Sequence, residues 1–249
     1  MWTGITAAGL AAALTLGSGA ASAVDVPVAV AANFTDAANE IGRAFTAKTG
    51  HRALFSFGGT GALYTQITQA APFQVFLSAD QATAKRAIDE GNAVAGSQFT
   101  YAIGKIVLFS KNANLVKGED TLKAGTFQKI AIANPAGAPY GAAAVEAMRK
   151  LGVYDALARK IVQGDSITQT YQFVDTGNAE LGFVALAQVV NVAGGSRWTV
   201  PETLYTPIRQ DAVLTRAGAN SDAAKAFLAF LKGPEAALVI EKFGYGNAL

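Results

Sequence analysis

The 249 residues are 51% apolar and 15% charged, with a formal net charge of +2. This composition excludes a disordered chain and allows one large domain or two modest ones; with no Lys/Arg run, it shows no electrostatic footprint for nucleic acid. With no cysteine and one histidine, His51, the sequence excludes disulfides, thiolate metal sites, a cysteine nucleophile and a histidine-rich zinc site, and a Ser-His-Asp triad would have to use His51.

Residues 1–23 read as a targeting segment. Ile5 to Leu16 is a short apolar stretch, followed by Gly17-Ser18-Gly19 and the small-residue signal Ala21-Ser22-Ala23. Met1 to Gly4 carries no Lys or Arg, so either the α-amino group supplies the positive charge or the true start is displaced. The stretch is shorter than the about 20 apolar residues a membrane span needs. The mature chain is expected to begin near Val24 and, lacking a cysteine to carry a lipid, to be secreted free.

Val26 to Ala32 is a continuous apolar run, which suits a strand buried on both faces of a parallel sheet. Asn33-Phe34-Thr35-Asp36 interrupts it, and Ala37, Ile41, Ala44 and Phe45 then fall on one helical face. Gly50 stands where a helix C-cap glycine belongs. Ala53 to Phe57 reads as a second strand, broken by Gly58-Gly59-Thr60-Gly61 before a helix containing Leu63 and Ile67. Phe73 to Leu77 is a short strand, and Asp80 caps the next helix. A break is expected near Tyr101-Ala102-Ile103-Gly104. Ile106 to Phe109 and Ile130 to Ala133 are strands. Pro139-Tyr140-Gly141 opens a helix through Leu151, and Ser166 caps one beginning near Ile167. Leu181 to Val184 is a strand, and two helices, about 221–232 and 235–243, close the chain. This alternation predicts an α/β fold with mostly parallel sheets.

Polar residues fall at the strand-to-helix junctions: Asn33 after the first strand, Thr60 after the second, Tyr140 at a later helix start. Ligands of open α/β sheets bind outside the carboxyl ends of the strands. Helix starts there offer unpaired N–H groups and partial positive charge, so several converging on one point bind an anion without Lys or Arg. Gly58, Gly59 and Gly61 would let the backbone approach a ligand and adopt positive φ. With no Lys after its last glycine, the loop is not a nucleotide P-loop. Local pattern alone leaves alternatives open: an ordinary turn for the glycine loop, an N-cap for Asn33, an aromatic packed on its own helix for Tyr140. His51 reads as a surface residue at a strand start, and Asp36, Asp80 and Asp175 as caps or surface groups.

From Val24 to Tyr245 the chain resembles the periplasmic molybdate-binding proteins of ABC importers. The resemblance rests on Val30-Ala31-Ala32-Asn33-Phe34-Thr35, Ser56-Phe57-Gly58-Gly59-Thr60-Gly61, Phe76-Leu77-Ser78-Ala79-Asp80, Ala133-Asn134-Pro135 with Pro139-Tyr140-Gly141, Glu180-Leu181-Gly182-Phe183-Val184 and Leu231-Lys232-Gly233-Pro234-Glu235-Ala236-Ala237, in that order. It implies a periplasmic two-lobed binding protein that captures molybdate or tungstate in the interlobe cleft. The implied lobe I is 24–102 with 211–249, and lobe II is 103–210. It also implies a monomer that uses no cofactor, is not an enzyme, and hands its ligand to a membrane permease. The implied ligand positions are Asn33, Thr60, Tyr140 and Ile167, with Ala32, Gly59 and Gly141 beside them. Some members draw a tyrosine hydroxyl from the position of Ala185; here that hydroxyl is assigned to Tyr140. The alternative ligand is another oxyanion such as sulfate or phosphate. A ferric site would want paired tyrosines and carboxylates, and Tyr140 has no obvious second tyrosine near it in sequence.

Overall fold

A computed structural model describes residues 23–246, together with Met1 and Ala248. Residues 2–22 of the expected targeting segment lie outside the described residues. The apolar run after it forms β1 (Asp25–Ala31). Val26, Val28 and Val30 point into a core with Ile41, Phe45 and Phe227, whereas Ala29 points the other way, toward Leu63, Phe76 and Val213. Both faces are buried, which is why the run does not alternate with polar residues.

The first sheet has the order β2-β1-β3-β10-β4, with β2 (Arg52–Gly58), β3 (Val75–Leu77), β4 (Phe99–Gly104) and β10 (Ile208–Leu214). The second has the order β7-β6-β8-β5-β9, with β5 (Ile106–Ser110), β6 (Ile130–Ala133), β7 (Ile161–Gly164), β8 (Leu181–Ala185) and β9 (Ser196–Thr199). β1 pairs parallel with β2 and β3, while β10 is antiparallel to both β3 and β4. Four strands of the first sheet therefore run one way and β10 is reversed. The second sheet repeats the scheme, with β5 as the reversed strand. Each sheet is mostly parallel, as the alternation predicts.

Helices α1 (Thr35–Thr49), α2 (Thr60–Thr68), α3 (Gln81–Asp89), α9 (Asp222–Leu231) and α10 (Pro234–Lys242) accompany the first sheet. Helices α4 (Asp120–Ala124), α5 (Pro139–Lys150), α6 (Tyr154–Leu157), α7 (Ile167–Asp175) and α8 (Leu186–Val189) accompany the second. The local end signals at Gly50, Asp80 and Ser166 act as read, and Ser221 adds a further cap. Gly50 takes φ 75° and donates to Thr46 O at 2.9 Å, and the side chains of Asp80, Ser166 and Ser221 each accept an N–H of the following turn.

The chain crosses between sheets at Lys105, between β4 and β5, and returns through residues 200–207. The expected lobe boundaries, 102/103 and 210/211, fall inside β4 and β10, because these strands pair with each other as far as Gly104↔Ile208. Tyr101 to Gly104, where a break is expected, belong to β4, with Tyr101 and Ala102 in the core, and the crossing follows directly at Lys105. Among the described residues no helix is long and apolar enough to cross a membrane.

Candidate functional site

The carboxyl ends of β1, β2, β6 and β7 face one another across the two sheets. β1 runs into a 3-10 turn, Ala32–Phe34, and β2 passes through Gly59 into α2. From the other side, β6 leads through a short loop into α5, and β7 leads through Ser166 into α7. Asn33, Thr60, Tyr140 and Ile167 all line a single pocket there, with Ala32 and Gly59 beside them. Gly141 does not line it. Its N–H donates to Ala138 O at 2.9 Å, and a Cβ on it would fall 2.0 Å from Ala133 O, so it serves the packing of α5 on β6. Water centres fit within about 10 Å³ of the pocket. That is close to the least room one water needs, so the pocket is small, on the scale of one compact ion.

What faces this space is a set of donors. Thr60 and Ile167 open α2 and α7, and Tyr140 follows Pro139 at the start of α5, so their N–H groups precede any intrahelical acceptor. Asn33 lies in the 3-10 turn after β1 and is not an N-cap: α1 starts two residues later with no side-chain cap. Thr60 Oγ1 accepts from Ala79 N at 3.1 Å, which leaves its own proton to give. Among the described residues lining the pocket none is charged. The positive potential there comes from the ends of α2, α5 and α7, each equivalent to roughly half a charge.

Behind the pocket lies a buried network absent from the sequence reading. Asn33 Nδ2 donates to Gln210 Oε1 at 2.6 Å and lies 3.2 Å from Tyr245 Oη and 3.3 Å from Tyr140 Oη. Tyr245 Oη donates to Asn33 O at 2.6 Å, and Tyr101 Oη reaches Ser78 O at 3.2 Å and Gln210 Oε1 at 3.4 Å. The Asn33 side chain is thus given to its neighbours, which leaves the backbone N–H as the donor this residue has for a ligand. Tyr140 does have other tyrosines nearby, brought by β4 and by the chain after α10 rather than by sequence proximity. Ala185, buried at the end of β8, has no hydroxyl to contribute.

The glycines of the β2–α2 loop act differently from expectation. None of Gly58, Gly59 and Gly61 has positive φ. A Cβ on Gly59 would lie 3.0 Å from Asp165 O, and one on Gly61 3.3 Å from Gly137 Cα. Both neighbours belong to the second lobe, so the glycines let the lips of the cleft meet. There Gly61 N–H donates to Gly137 O at 3.1 Å, and Thr168 Oγ1 reaches Ala32 O at 3.4 Å.

His51 sits at the opposite, amino end of β2, where its Nδ1 accepts from Val24 N at 3.2 Å, far from the pocket. Asp175 pairs with Lys111 at 3.0 Å on the surface. Among the described residues no cluster of three or more His, Cys, Asp or Glu is placed to hold a metal ion.

Burial lifts the hydroxyls of Tyr101, Tyr140 and Tyr245 well above the usual phenol range, so they stay protonated donors. Unfolded tyrosines ionise near about pH 10. Above that pH the folded chain holds more protons than the unfolded one, so stability falls as pH rises. Three such groups lower it by roughly 4 kcal/mol per pH unit. Melting temperatures between pH 8 and 12 are expected to stay flat with respect to these groups until about 9.5 and then drop steeply. A plateau through pH 11.5 would contradict this burial.

Two lobes, an uncharged donor-lined pocket the size of one small ion, and lips that meet across it define the class: a solute-binding receptor. The chain belongs to the family of bacterial extracellular solute-binding proteins, whose family model matches residues 26–246. The molybdate-binding protein ModA of Rhodobacter capsulatus is 56% identical over 225 residues, covering 90% of this chain and 89% of the relative. That of Azotobacter vinelandii is 52% identical over 231 residues, covering 91% and 92%. The structure of an Azotobacter vinelandii periplasmic molybdate-binding protein superposes with a TM-score of 0.87 at 38% identity, covering 90% of this chain and all of that one.

Proposed function

We propose that this protein captures molybdate or tungstate in the interlobe cleft and delivers it to the membrane permease of an ABC importer. It acts in the periplasm as a monomeric transport receptor rather than an enzyme. In this reading it works untethered and its partners are the oxyanion and the permease, not nucleic acid. Lobe I consists of 24–104 and 208–249, and lobe II of 105–207, the limits at which the strands change sheet. The donors are the N–H groups of Asn33, Thr60, Tyr140 and Ile167 and the hydroxyls of Thr60 and Tyr140.

The single observation that carries this reading is the pocket lining, which presents donors with no charged side chain. A deprotonated dianion accepts from every donor, and each such bond is worth about 1.5–3 kcal/mol. Hydrogen phosphate keeps a proton and needs an acceptor, typically a carboxylate, so its proton would be left unpaired. Sulfate makes the same bonds but is smaller, so the span between donors on opposite lobes must reject it. Binding to both lobes favours the closed form, which the permease can distinguish from the open one.

Molybdate at 100 times its dissociation constant should add about 2.7 kcal/mol of stability. Thermal melts are expected to rise with molybdate and tungstate; a rise with sulfate or phosphate instead would reject this specificity. Thr60→Val removes a donor and leaves the Ala79 N–H unpaired. It is expected to weaken molybdate binding 10- to 100-fold and to lower stability by about 1–3 kcal/mol. Thr60→Ser should stay within about threefold of the wild type in the same titration. Unchanged affinity in Thr60→Val would remove the Thr60 hydroxyl from the donor set.

A further inference from the structure

We infer that Tyr245, from the chain beyond the last helix, is a positioning residue: its hydroxyl holds the turn at Asn33 in place behind the ion site. The inference rests on the proposed oxyanion function. Ala31, Ala32 and Asn33 line the pocket, so the shape of this turn decides what β1 presents to an ion. Local support for the turn is thin. Neither Ala31 before it nor Phe34 before α1 makes a side-chain cap. The Thr35 hydroxyl donates to Ala32 O at 2.8 Å, and the Thr35 N–H closes onto the same carbonyl. Both bonds stop at Ala32 and hold nothing of Asn33.

The hold on Asn33 comes from the other end of the chain. α10 ends at Lys242, and Gly244, with φ 80°, turns the chain back toward the sheet. Gly246 then pairs with Ile103 of β4 through two backbone bonds, of 2.8 and 3.2 Å. Between these two points the Tyr245 ring packs edge-on against Phe34, with centroids 5.2 Å apart. Tyr245 Oη donates to Asn33 O at 2.6 Å and accepts from Asn33 Nδ2 at 3.2 Å. A hydroxyl can do both, because it carries one proton and two lone pairs. Main chain and side chain of Asn33 are therefore tied to one atom. Asn33 is 4% exposed and Tyr245 6%, so water does not replace a tie that is lost. Phenylalanine at 245 would keep the ring contact and the backbone pairing while removing both ties. The turn after the first strand is thus completed only when the segment after the last helix docks behind it.

Tyr245→Phe tests this by calorimetric titration of molybdate at pH 7.5 and by amide hydrogen exchange of the ligand-free protein. The variant is expected to fold and to lower affinity about tenfold. Exchange reports the cause. The Thr35 amide, which closes the turn, should exchange about tenfold faster, whereas the Ile103 amide, which bonds Gly246 O, should keep its wild-type rate because the tail stays docked. A purely structural tail would speed exchange at both. The affinity loss should also persist when Tyr245→Phe is added to Tyr140→Phe, since the ties run to Asn33 and not through Tyr140. Affinity within about twofold of the wild type, equal acceleration at Ile103 and Thr35, failure to fold, or a loss that vanishes in the Tyr140→Phe background would each overturn the inference. A wild-type chain that binds no molybdate overturns the proposed function and this inference with it, whereas wild-type binding with any of those results overturns the inference alone.

Discussion

Replacing Gly104 with alanine is expected to weaken molybdate binding about a thousandfold while the chain without ligand stays folded. Gly104 ends β4 in the first lobe, and Tyr140 belongs to the second. A Cβ at position 104 would lie 2.1 Å from Tyr140 Oη and 2.8 Å from its Cζ. Atoms cannot approach so closely, so either the ring leaves the site or the lobes stay apart. The position does not have positive φ, so alanine adds no backbone strain. The clash is between lobes, and opening relieves it without disturbing either core. Loss of the Tyr140 hydroxyl and of one further donor removes about 3–6 kcal/mol at 1.5–3 kcal/mol each, and each 1.4 kcal/mol is tenfold. Calorimetry reads the affinity, and solution scattering reads the missing compaction on adding molybdate. Affinity within tenfold of the wild type would show that Tyr140 is not held where this geometry holds it.

Asn33→Asp should abolish molybdate binding at pH 8, by at least a thousandfold. The change keeps the shape and replaces an amide donor by acceptor oxygens. One then faces Gln210 Oε1, where Asn33 Nδ2 now donates at 2.6 Å. The added charge also sits on a residue lining the anion pocket, and like charges a few ångströms apart repel by several kcal/mol at the effective dielectric of such sites. Burial favours the protonated carboxyl, so affinity should recover in part as pH falls, whereas wild-type affinity should not rise with acid. Titrations from pH 5.5 to 8 measure both trends. A variant that binds within tenfold of the wild type at pH 8 would mean that Asn33 stands away from the ion.

Much of this site was legible because its positions are set locally. Asn33, Thr60 and Tyr140 each follow a strand and open a turn or helix, and a junction can be recognised from a few neighbouring residues, whereas Ile167 came from the family resemblance, since β7 before it was not read as a strand. The caps at Gly50, Asp80 and Ser166 were legible for the same reason. The supporting network was not, because Asn33 and Gln210 are 177 residues apart and Asn33 and Tyr245 are 212 apart. No spacing encodes such a contact. β10 was not read as a strand, since Arg209 and Asp211 interrupt its apolar pattern and Gln210 hides a buried amide between them. β9, Ser196–Thr199, was missed because it is a short edge strand, half-buried on one side and exposed on the other. Gly104 looked like a separator and is a close approach to a tyrosine on the other lobe. Gly59 and Gly61 were credited with φ freedom, yet what they supply is the absence of a side chain between the lips. In each case the residue type was informative and the partner was not.

The central claim is that uncharged donors on two lobes select a fully deprotonated tetrahedral anion. Calorimetric titration of the wild-type protein with molybdate, tungstate, sulfate and phosphate in one buffer at pH 7.5 tests it most directly. The account predicts tight, one-to-one binding of molybdate and tungstate, with sulfate and phosphate weaker by at least a hundredfold. Equal or tighter binding of sulfate or phosphate would contradict it.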